Sequence, residues 1–277
     1  MDRVRERSLR GTWIWVILVA YMGVVVGPIS LMILSSFKST RQIFADPLGL
    51  PTNVMFDNYS RAWEQANFST YIVNSAIVTG WAVVLTLIFA SLAAYPLSRY
   101  RLPLLPLVLG YFLVGLMLPV RLGIVPLFML LRDLSLLDSH LGLILVYVAI
   151  RLPFAIFILT SFMKTIPTDL EEAARLDGAS EFRIMGQVMI PLIRPAIAIV
   201  TIFTLIAVWN DFFLPLIFIY SDELKTVPLG LATFMGQYRA DWGLLFAGLT
   251  ISSVPLVVAY LVFGRQIREG VASSGVR

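Results

Sequence analysis

Charged residues are absent from three long hydrophobic runs of this chain, Gly11–Phe37, Thr70–Ser98 and Trp242–Gly264. A helix of about 20 predominantly apolar residues is long enough to cross the hydrocarbon core of a bilayer. Each run is therefore predicted to be a transmembrane helix. The alternative for the first run is a cleaved signal peptide, but the apolar region of such a peptide has only about 7–15 residues. We expect an anchored helix, with Pro28 as its candidate kink.

Three further hydrophobic runs are interrupted by proline or by charged residues. They are Leu104–Leu131, which contains Pro119, Arg121, Gly123 and Pro126; Leu141–Met163, which contains Arg151 and Pro153; and Ala196–Tyr220, which contains Trp209, Asn210, Asp211 and Pro215. Proline has no N–H to donate inside a helix, and it bends or ends most helices that contain it. We therefore predict six spans in all, with the third bent in its outer half and the fifth interrupted.

The segments between these runs are polar. Lys38–Asn67 is predicted to be an extramembrane loop with a short surface helix around Asn58–Gln65. Arg99–Pro103 is predicted to be a tight basic turn, and Ser221–Asp241 a second polar loop. The chain closes with a basic tail, Arg265–Arg277.

Composition agrees with a membrane protein. Of the 277 residues, 58% are hydrophobic and only 14% are charged, whereas soluble domains carry about 25% charged residues. The absence of cysteine excludes disulfides and thiolate metal sites. The single histidine, His140, leaves little scope for acid–base or metal chemistry. Because the sequence has no nucleophile–base pair and no metal-ligand cluster, we predict that the chain is not an enzyme.

Positive charges are distributed unevenly between the two sides that six spans create. Thirteen of the 21 Lys and Arg residues fall on the side that holds both termini, six fall on the other, and Arg121 and Arg151 lie within spans. Cytoplasmic loops carry the excess of positive charge in membrane proteins. Both termini are therefore predicted to be cytoplasmic, and so is the segment between the fourth and fifth spans. This topology accounts for the basic excess, so no nucleic acid partner is expected.

That segment, Glu171–Pro195, is both charged and helical in pattern. Acidic residues cluster at its start, which is the favourable end of a helix dipole for negative charge. Pro167 and Thr168, just before them, are predicted to form the entry cap. Gly178 is predicted to end this helix. A second short helix, Ser180–Ile190, is predicted to follow until Pro191 and Pro195 stop it. From the pattern alone, a solvated loop between two spans explains the segment equally well.

The spacing within this segment resembles the EAA motif of permease subunits in binding-protein-dependent ABC importers. That motif has Glu-Ala-Ala, three residues, Gly, nine residues, an aliphatic residue, one residue, a second aliphatic residue and Pro. The matching residues are Glu172, Ala173, Ala174, Gly178, Val188, Ile190 and Pro191. Every spacing agrees, and the two aliphatic positions hold Val and Ile where the family often has Ile and Leu.

Other short segments resemble the carbohydrate branch of the same permeases. They are Asn74-Ser75, Leu118–Leu127, Leu152–Phe154, Ile166-Pro167, and Trp209–Phe212 with Pro215. The tail from Gly270 to Arg277 is similar to the C-terminus of the maltose-importer permease subunit that reaches into the ATPase dimer. The resemblance thus covers most of the chain.

The resemblance implies an all-α membrane protein of six transmembrane helices with the type I importer permease (MetI-like) fold. Residues 1–70 would hold the N-terminal tail, the first span and an extracytoplasmic loop, residues 71–264 the transmembrane core, and residues 265–277 a cytoplasmic tail. The implied partners are a homologous second permease, an ATPase dimer that binds ATP-Mg, and an extracytoplasmic solute-binding protein. The implied location is the cytoplasmic membrane of a bacterium or archaeon. The sequence has no glycine-rich phosphate loop, so ATP hydrolysis is assigned to a separate chain and this chain is expected to bind no cofactor.

The first short helix is implied to bind in a cleft on the ATPase. The residues expected to couple the two proteins are Glu171, Glu172, Ala173, Ala174, Leu176, Asp177 and Gly178. The small alanines would allow close approach, and the acidic residues would pair with bases on the ATPase. The tail residues expected to contact the ATPase are Gly270, Gly275, Val276 and Arg277.

Polar residues at span depth are candidates for the translocation path, because a charge there costs roughly 2.5–3.5 kcal/mol on insertion scales. The candidates are Arg121, Tyr147, Arg151, Trp209, Asn210 and Asp211. An aromatic ring can stack on a sugar face, while amides and carboxylates bond to hydroxyls. The alternatives are that Asp211 pairs with one of the arginines, or that these groups face a water-filled cavity or a subunit interface. The expected substrate is a di- or oligosaccharide. The alternative is glycerol-3-phosphate, a polyol or an acidic sugar, and Arg151 is the reason for considering the anionic ones.

Overall fold

A computed structural model describes residues 2–65, 67–100, 103–233 and 241–274, and in these ranges the chain is helical with no strand. The helices of the first half are α1 Asp2–Ser36, α2 Thr40–Ala45, α3 Asp57–Gln65, α4 Phe68–Arg99, α5 Leu105–Met117, α6 Ile124–Asp133 and α7 His140–Met163. Those of the second half are α8 Asp169–Leu176, α9 Glu181–Ile184, α10 Ile190–Leu192, α11 Arg194–Trp209, α12 Phe213–Phe218, α13 Val227–Thr233 and α14 Trp242–Ser274. Val120–Gly123 and Asp222–Leu224 are 3₁₀ turns, and Met185–Met189 is a π-helix.

Four helices are long and apolar enough to cross a membrane: Ile14–Ser36, Phe68–Arg99, His140–Met163 and Trp242–Gly264. Two further candidates are pairs of shorter helices, bent by 89° in Leu105–Met117 with Val120–Asp133 and by 79° in Glu181–Leu192 with Arg194–Trp209. The described chain thus has up to six spans if each bent pair is one span. The upper count equals the predicted number and the third span is bent as predicted, whereas the fifth candidate begins and bends earlier in the chain than the predicted span Ala196–Tyr220.

The break in the third span occurs where the sequence places it. Helix α5 ends at Met117 because Leu118, which precedes Pro119, adopts an extended conformation (φ −78°, ψ 123°). Residues before proline avoid the helical region for steric reasons. A 3₁₀ turn follows, and α6 then starts at Ile124.

The chain folds into two compact units, the first formed by residues 1–69 and 231–254. In this unit the predicted polar loop after α1 is ordered. Asn58 is buried and donates to the backbone oxygens of Ser36 (2.8 Å) and Lys38 (3.0 Å). The Arg61 guanidinium pairs with Asp241 at 2.7 Å. The short helix predicted around Asn58–Gln65 is confirmed as α3, whereas α2 was not predicted.

The second unit comprises residues 70–230 and 255–277, and it contains two hydrophobic clusters. One cluster joins α4, α7 and α12 through Val78, Tyr147 and Phe218. The other joins α4, α7 and α11 through small residues that include Ala90 and Ala155. Fully buried alanines allow helix backbones to approach closely, so this cluster packs the ends of three helices tightly.

The paired residues Asn74 and Ser75 also lie in the second unit, where they fix the segment after α12. The Asn74 amide donates to the backbone oxygens of Glu223 (2.7 Å) and Lys225 (3.0 Å), and the Ser75 hydroxyl accepts from the Val227 N–H at 2.8 Å. These side chains therefore bind backbone at the start of α13. The predicted polar loop Ser221–Asp241 is thus helical in part, and residues 234–240 lie outside the described residues.

Candidate functional site

The charged segment between α7 and α11 begins with α8, which carries Asp169, Glu171 and Glu172 in its first turn. Thr168 is the cap residue, as predicted, but its side chain makes no cap hydrogen bond because its backbone is already helical (φ −69°, ψ −24°). A side-chain oxygen reaches the first turn of a helix when the capping residue is extended. The acidic first turn therefore complements the helix dipole without a side-chain cap.

A Schellman motif ends α8 at Gly178, as the sequence predicts. The Gly178 N–H donates to the Arg175 oxygen (3.1 Å), and the Ala179 N–H donates to the Ala174 oxygen (3.0 Å). Gly178 has φ +80°, and no atom lies within 4 Å of the position where its Cβ would be. The requirement for glycine is therefore conformational rather than steric.

The second short helix runs through Pro191, so its predicted end at Ile190 is wrong, although the break does come before Pro195. The chain runs from α9 through the π-helix Met185–Met189 into α10, which contains Pro191. In the π-helix the Ile190 N–H donates to the Met185 oxygen, five residues earlier, so the hydrogen-bond register has already shifted before the proline. The break comes at Ile193 (φ −93°, ψ 14°), just before α11.

Large hydrophobic side chains lie exposed on this charged segment. Leu176 is 90% exposed, Phe182 is 77% exposed and Leu170 is 47% exposed. Among the other predicted coupling residues, Glu172, Ala173 and Asp177 are exposed. Large apolar groups clustered in a polar surface region indicate a protein contact. The predicted coupling residues included Leu176 but not Leu170 or Phe182, although both are visible in the sequence as apolar residues beside charged ones.

Glu171 is buried, which contradicts the expectation that it pairs with a base on another protein. Its carboxylate forms an ion pair with Arg99 and accepts a hydrogen bond from Tyr95 at 3.3 Å. Both partners lie on α4, so Glu171 faces its own chain. Arg99, predicted to begin a tight basic turn, is instead the last residue of α4 and is almost fully buried. Arg101 and Leu102 lie outside the described residues.

Glu181 links the second short helix to the same group. It accepts from the Tyr95 hydroxyl at 2.7 Å and pairs with Arg175 of α8 at 2.8 Å. The Arg175–Glu181 pair is half-exposed and so contributes little stability by itself. Its geometric effect is to join α8 to α9 on both sides of Gly178.

In the membrane interior, Asp211 pairs with Tyr147 and with neither arginine among the described residues. The Tyr147 hydroxyl donates to Asp211 at 2.8 Å. Asp211 also accepts from the backbone N–H groups of Phe213 (3.1 Å) and Leu214 (3.4 Å), which caps α12. A structural role thus accounts for this carboxylate. The sequence signal for that role is the position of Asp211 two residues before a short helix that contains proline.

Arg151 is half-buried on α7, and its Nε atom has no hydrogen-bond partner among the described residues. It lines a cavity of about 410 Å³ between α5, α7 and α11, together with Leu116, Phe154 and Phe203. Within the part of the chain that the structure describes, the arginine is the only charged residue in that lining. Apart from one threonine, the remaining lining is apolar, so the cavity suits a ligand that carries an anionic group and a hydrophobic or carbon-rich face.

The other candidates for the translocation path occupy different surroundings. Arg121 is exposed and lies over the Phe213 ring, 5.1 Å from its centroid. Trp209 is buried, so its ring does not present an open stacking face. Asn210 is exposed, and its amide donates to the Ile206 oxygen at 2.9 Å. The structure thus joins Tyr147 and Asp211 by a hydrogen bond, places Arg151 near enough to interact electrostatically with both, and places Arg121 over the Phe213 ring.

The predicted tail contacts lie at the end of the described chain. Gly270 falls within α14, which extends beyond the predicted span to Ser274. Gly275, Val276 and Arg277 lie outside the described residues.

Comparison with known proteins places these features in a family. The family of binding-protein-dependent transport system inner membrane components matches residues 86–269. The chain belongs to this family. It is a permease subunit rather than an enzyme, and it is an integral inner-membrane protein.

Two relatives and one solved structure illustrate the similarity. The chain is 39% identical to a diacetylchitobiose uptake system permease protein of Streptomyces coelicolor, over 94% of this chain and 87% of the relative. It is 28% identical to the melibiose/raffinose/stachyose import permease protein of Bacillus subtilis over the full length of both. A bacterial ABC transporter structure, involved in the import of the acidic polysaccharide alginate, matches with a TM-score of 0.82 and 25% identity, covering 94% of this chain and 97% of that one. The likeness confirms the predicted all-α importer permease fold.

Proposed function

We propose that this permease subunit forms half of the translocation pathway of an ATP-driven importer of di- or oligosaccharides. The similarity to permeases of diacetylchitobiose and of melibiose, raffinose and stachyose import supports a neutral sugar substrate. The observation that carries the proposal is the segment α8–Gly178–α9. It is a helix–turn–helix whose large apolar side chains are not covered by the part of this chain that the structure describes.

Helix α8 is the ATPase-coupling helix. Leu176, Leu170 and Phe182 supply the apolar contact with a cleft on the ATPase, while Glu172 and Asp177 supply charge at its edge. Ala173 and Ala174 permit close approach because their side chains are small. Glu171 does not touch the ATPase. It holds α8 against α4 through its ion pair with Arg99.

The complete importer contains this chain, a homologous second permease, an ATPase dimer that binds ATP-Mg, and an extracytoplasmic solute-binding protein. It lies in the cytoplasmic membrane of a bacterium or archaeon, with both termini and α8 on the cytoplasmic side. Residues 1–70 form the N-terminal part, 71–264 the transport core and 265–277 the tail. In that tail Gly270, Gly275, Val276 and Arg277 contact the ATPase.

The specific observation that favours a second candidate function is Arg151 in its cavity, where its Nε atom has no partner among the described residues. An arginine in an apolar cavity at span depth favours a substrate with a carboxylate or phosphate. The second candidate is therefore import of an acidic sugar or a phosphate ester, with Arg151, Arg121, Tyr147, Asp211, Asn210 and Trp209 along or beside the path.

Reconstituted uptake tests these functions. The four-component complex is placed in proteoliposomes, and uptake of labelled chitobiose derivatives, melibiose and raffinose is compared with uptake of uronic acid oligomers and glycerol phosphate. We expect uptake of a neutral oligosaccharide that requires both ATP and the binding protein. Preferential uptake of the acidic substrates supports the second candidate. Gradient-driven flux through this chain alone contradicts both.

A further inference from the structure

Contacts among five polar side chains join α8 and α9 to α4, and together with the backbone of α8 they form a ring. Arg99 pairs with Glu171, and the single hydroxyl hydrogen of Tyr95 is shared between Glu181 (2.7 Å) and, in a longer contact, Glu171 (3.3 Å). Glu181 in turn pairs with Arg175 at 2.8 Å, which closes the ring through α8. Two residues of this ring belong to α4, two to α8 and one to α9. The ring therefore binds both arms of the helix–turn–helix to one membrane span.

Burial makes the central pair of this ring stiff. The side chains of Arg99 and Glu171 are 8% and 4% exposed. Separating two such charges leaves each uncompensated in a poorly solvated place, which is strongly unfavourable. Tyr95 and Arg99 lie four residues apart and thus on one face of α4, so both hold α8 from the same side. Helix α8 cannot move far without α4.

The covalent route from α8 to α11 is much softer. It passes through Gly178 at φ +80°, through the π-helix Met185–Met189, and through the break at Ile193, where the axis bends by 79°. Glycine turns and π-helices are places where a helix path deforms easily. We therefore expect a displacement of α8 to reach α11 less directly by this route than it reaches α4 through the ring, although Met189 and Ile193 on the route are buried in the core.

We propose that the ring of Tyr95, Arg99, Glu171, Arg175 and Glu181 transmits the movement of α8 directly into α4, the second span, and that this contact is the main path of coupling. The proposal rests on the proposed function, in which an ATPase moves α8. Glu171 and Arg99 act here as positioning residues: they touch neither substrate nor nucleotide.

Substitution of the buried carboxylate gives the first test. In the reconstituted complex, Glu171→Gln removes the charge with little change of shape. We expect the sugar transported per ATP hydrolysed to fall by roughly tenfold, while size-exclusion chromatography shows an assembled complex and ATP hydrolysis continues. The matched control is Asp169→Asn, an exposed acid on the same turn, which should stay within about twofold of the wild type. A Glu171→Gln complex that transports as much sugar per ATP as the wild type overturns the proposal.

A cross-link separates mechanical linkage from simple loss of structure. The chain has no cysteine, so Arg99→Cys/Glu171→Cys introduces the only two thiols of this subunit. We expect this variant to be uncoupled, and a short bifunctional thiol reagent to restore most of the transport per ATP. If both thiols are cross-linked and transport per ATP stays low, the ring is not the mechanical link. If Glu171→Gln prevents assembly of the complex, the cross-linked double-cysteine variant tests the proposal in its place.

The covalent route has its own test. Gln187→Gly softens the exposed side of the π-helix, and we expect transport per ATP to stay within about twofold of the wild type. Uncoupling by Gln187→Gly without uncoupling by Glu171→Gln assigns the path to α11 and overturns the proposal. Failure of the proposed function itself is distinguishable, because the wild-type complex then shows no ATP-dependent uptake.

Discussion

Gly178 shows how one backbone angle controls the coupling segment. Its φ of +80° allows the Schellman motif that ends α8 and starts the turn to α9. The surrounding space is open, so a side chain meets no atom there. An L-residue in the left-handed region costs about 1–2 kcal/mol, and a β-branched one costs more.

This argument predicts different outcomes for two substitutions of Gly178. Gly178→Val should abolish substrate-stimulated ATP hydrolysis and uptake, because the strained turn re-orients α8, while the chain still inserts in the membrane. Gly178→Asn is the control, since asparagine tolerates positive φ, and it should retain most of the activity. Uptake and ATPase assays on reconstituted complexes measure both. Normal substrate-stimulated ATPase activity in the valine variant contradicts the role of α8 in coupling.

Asp211 illustrates a charge in a membrane span that has a structural explanation. It caps α12 and accepts the hydroxyl hydrogen of the fully buried Tyr147. Loss of a helix cap costs about 0.5–2 kcal/mol, and a buried polar group without a partner costs a further 1–3 kcal/mol, roughly. These contributions to stability are sufficient to explain a carboxylate at this position without any contact to substrate.

Two variants of Asp211 test this explanation. Asp211→Asn keeps an oxygen that can accept from the backbone, so the thermal midpoint of the detergent-solubilised complex should fall slightly and the KM for sugar should not change. Asp211→Ala removes both interactions and should destabilise the protein by about 2 kcal/mol or more. A large increase in KM with unchanged thermal stability in Asp211→Asn would instead place this residue in the sugar path.

At the scale of elements, the hydrophobic pattern predicted the spans well because length and apolar content are local properties. The last predicted span, Trp242–Gly264, lies within α14, which also begins at Trp242 and continues to Ser274. Pro119 located the bend of the third span because proline constrains the residue before it. Pro191 misled the prediction because the π-helix shifts the hydrogen-bond register, and that shift depends on packing rather than on proline itself. Helix α2 was missed because its capping box, Ser39 with Gln42, lies in a short polar stretch without a hydrophobic period.

A link between two loops depends on Asp138, which joins the turn before α7 to the residues after α12. Its carboxylate accepts from the Ser221 hydroxyl and from the backbone N–H groups of Ser221 (3.0 Å) and Tyr220 (2.8 Å). These hydrogen bonds, above all those from Ser221, hold the pKa of Asp138 below its ordinary value. Since the folded-state pKa is lowered, the carboxylate stabilises the fold above its ordinary pKa, and this contribution is lost as pH falls through the lowered value.

Asp138→Asn should therefore change the acid response of the protein. At neutral pH the variant should be less stable than the wild type, with a thermal midpoint lower by a few degrees at most because the group is partly solvated. The difference should shrink as pH falls below about 4, the ordinary pKa of aspartate. Thermal unfolding of both proteins in detergent between neutral and acidic pH measures this. A difference that is independent of pH contradicts the assigned hydrogen bonds.

At the scale of the whole molecule, the sequence predicted the family and the coupling segment but not how that segment is held. The spacing from Glu172 to Pro191 identifies the motif without any structure. Whether Glu171 faces a partner or its own chain depends on Arg99 and Tyr95, which lie far away in sequence. A periodic hydrophobic pattern shows which face of a helix is buried but not which helix packs against it. The buried pair of Glu171 and Arg99 is therefore visible only in the structure. The cavity around Arg151 is a similar case, because its wall combines three helices.

The predicted orientation of the chain in the membrane rests on the distribution of Lys and Arg alone, so it needs its own experiment. Because the chain has no cysteine, single cysteines can report on sidedness. Thr165 lies exposed between α7 and α8, and Asp133 lies exposed at the end of α6. The excess of positive charge on the side of α8 predicts that Thr165→Cys faces the cytoplasm and Asp133→Cys the opposite side. In right-side-out membrane vesicles, a membrane-impermeant maleimide should label Asp133→Cys directly and Thr165→Cys only after permeabilisation. The reverse pattern would place α8 on the same side as the solute-binding protein, where no ATPase operates, and would refute the proposed coupling.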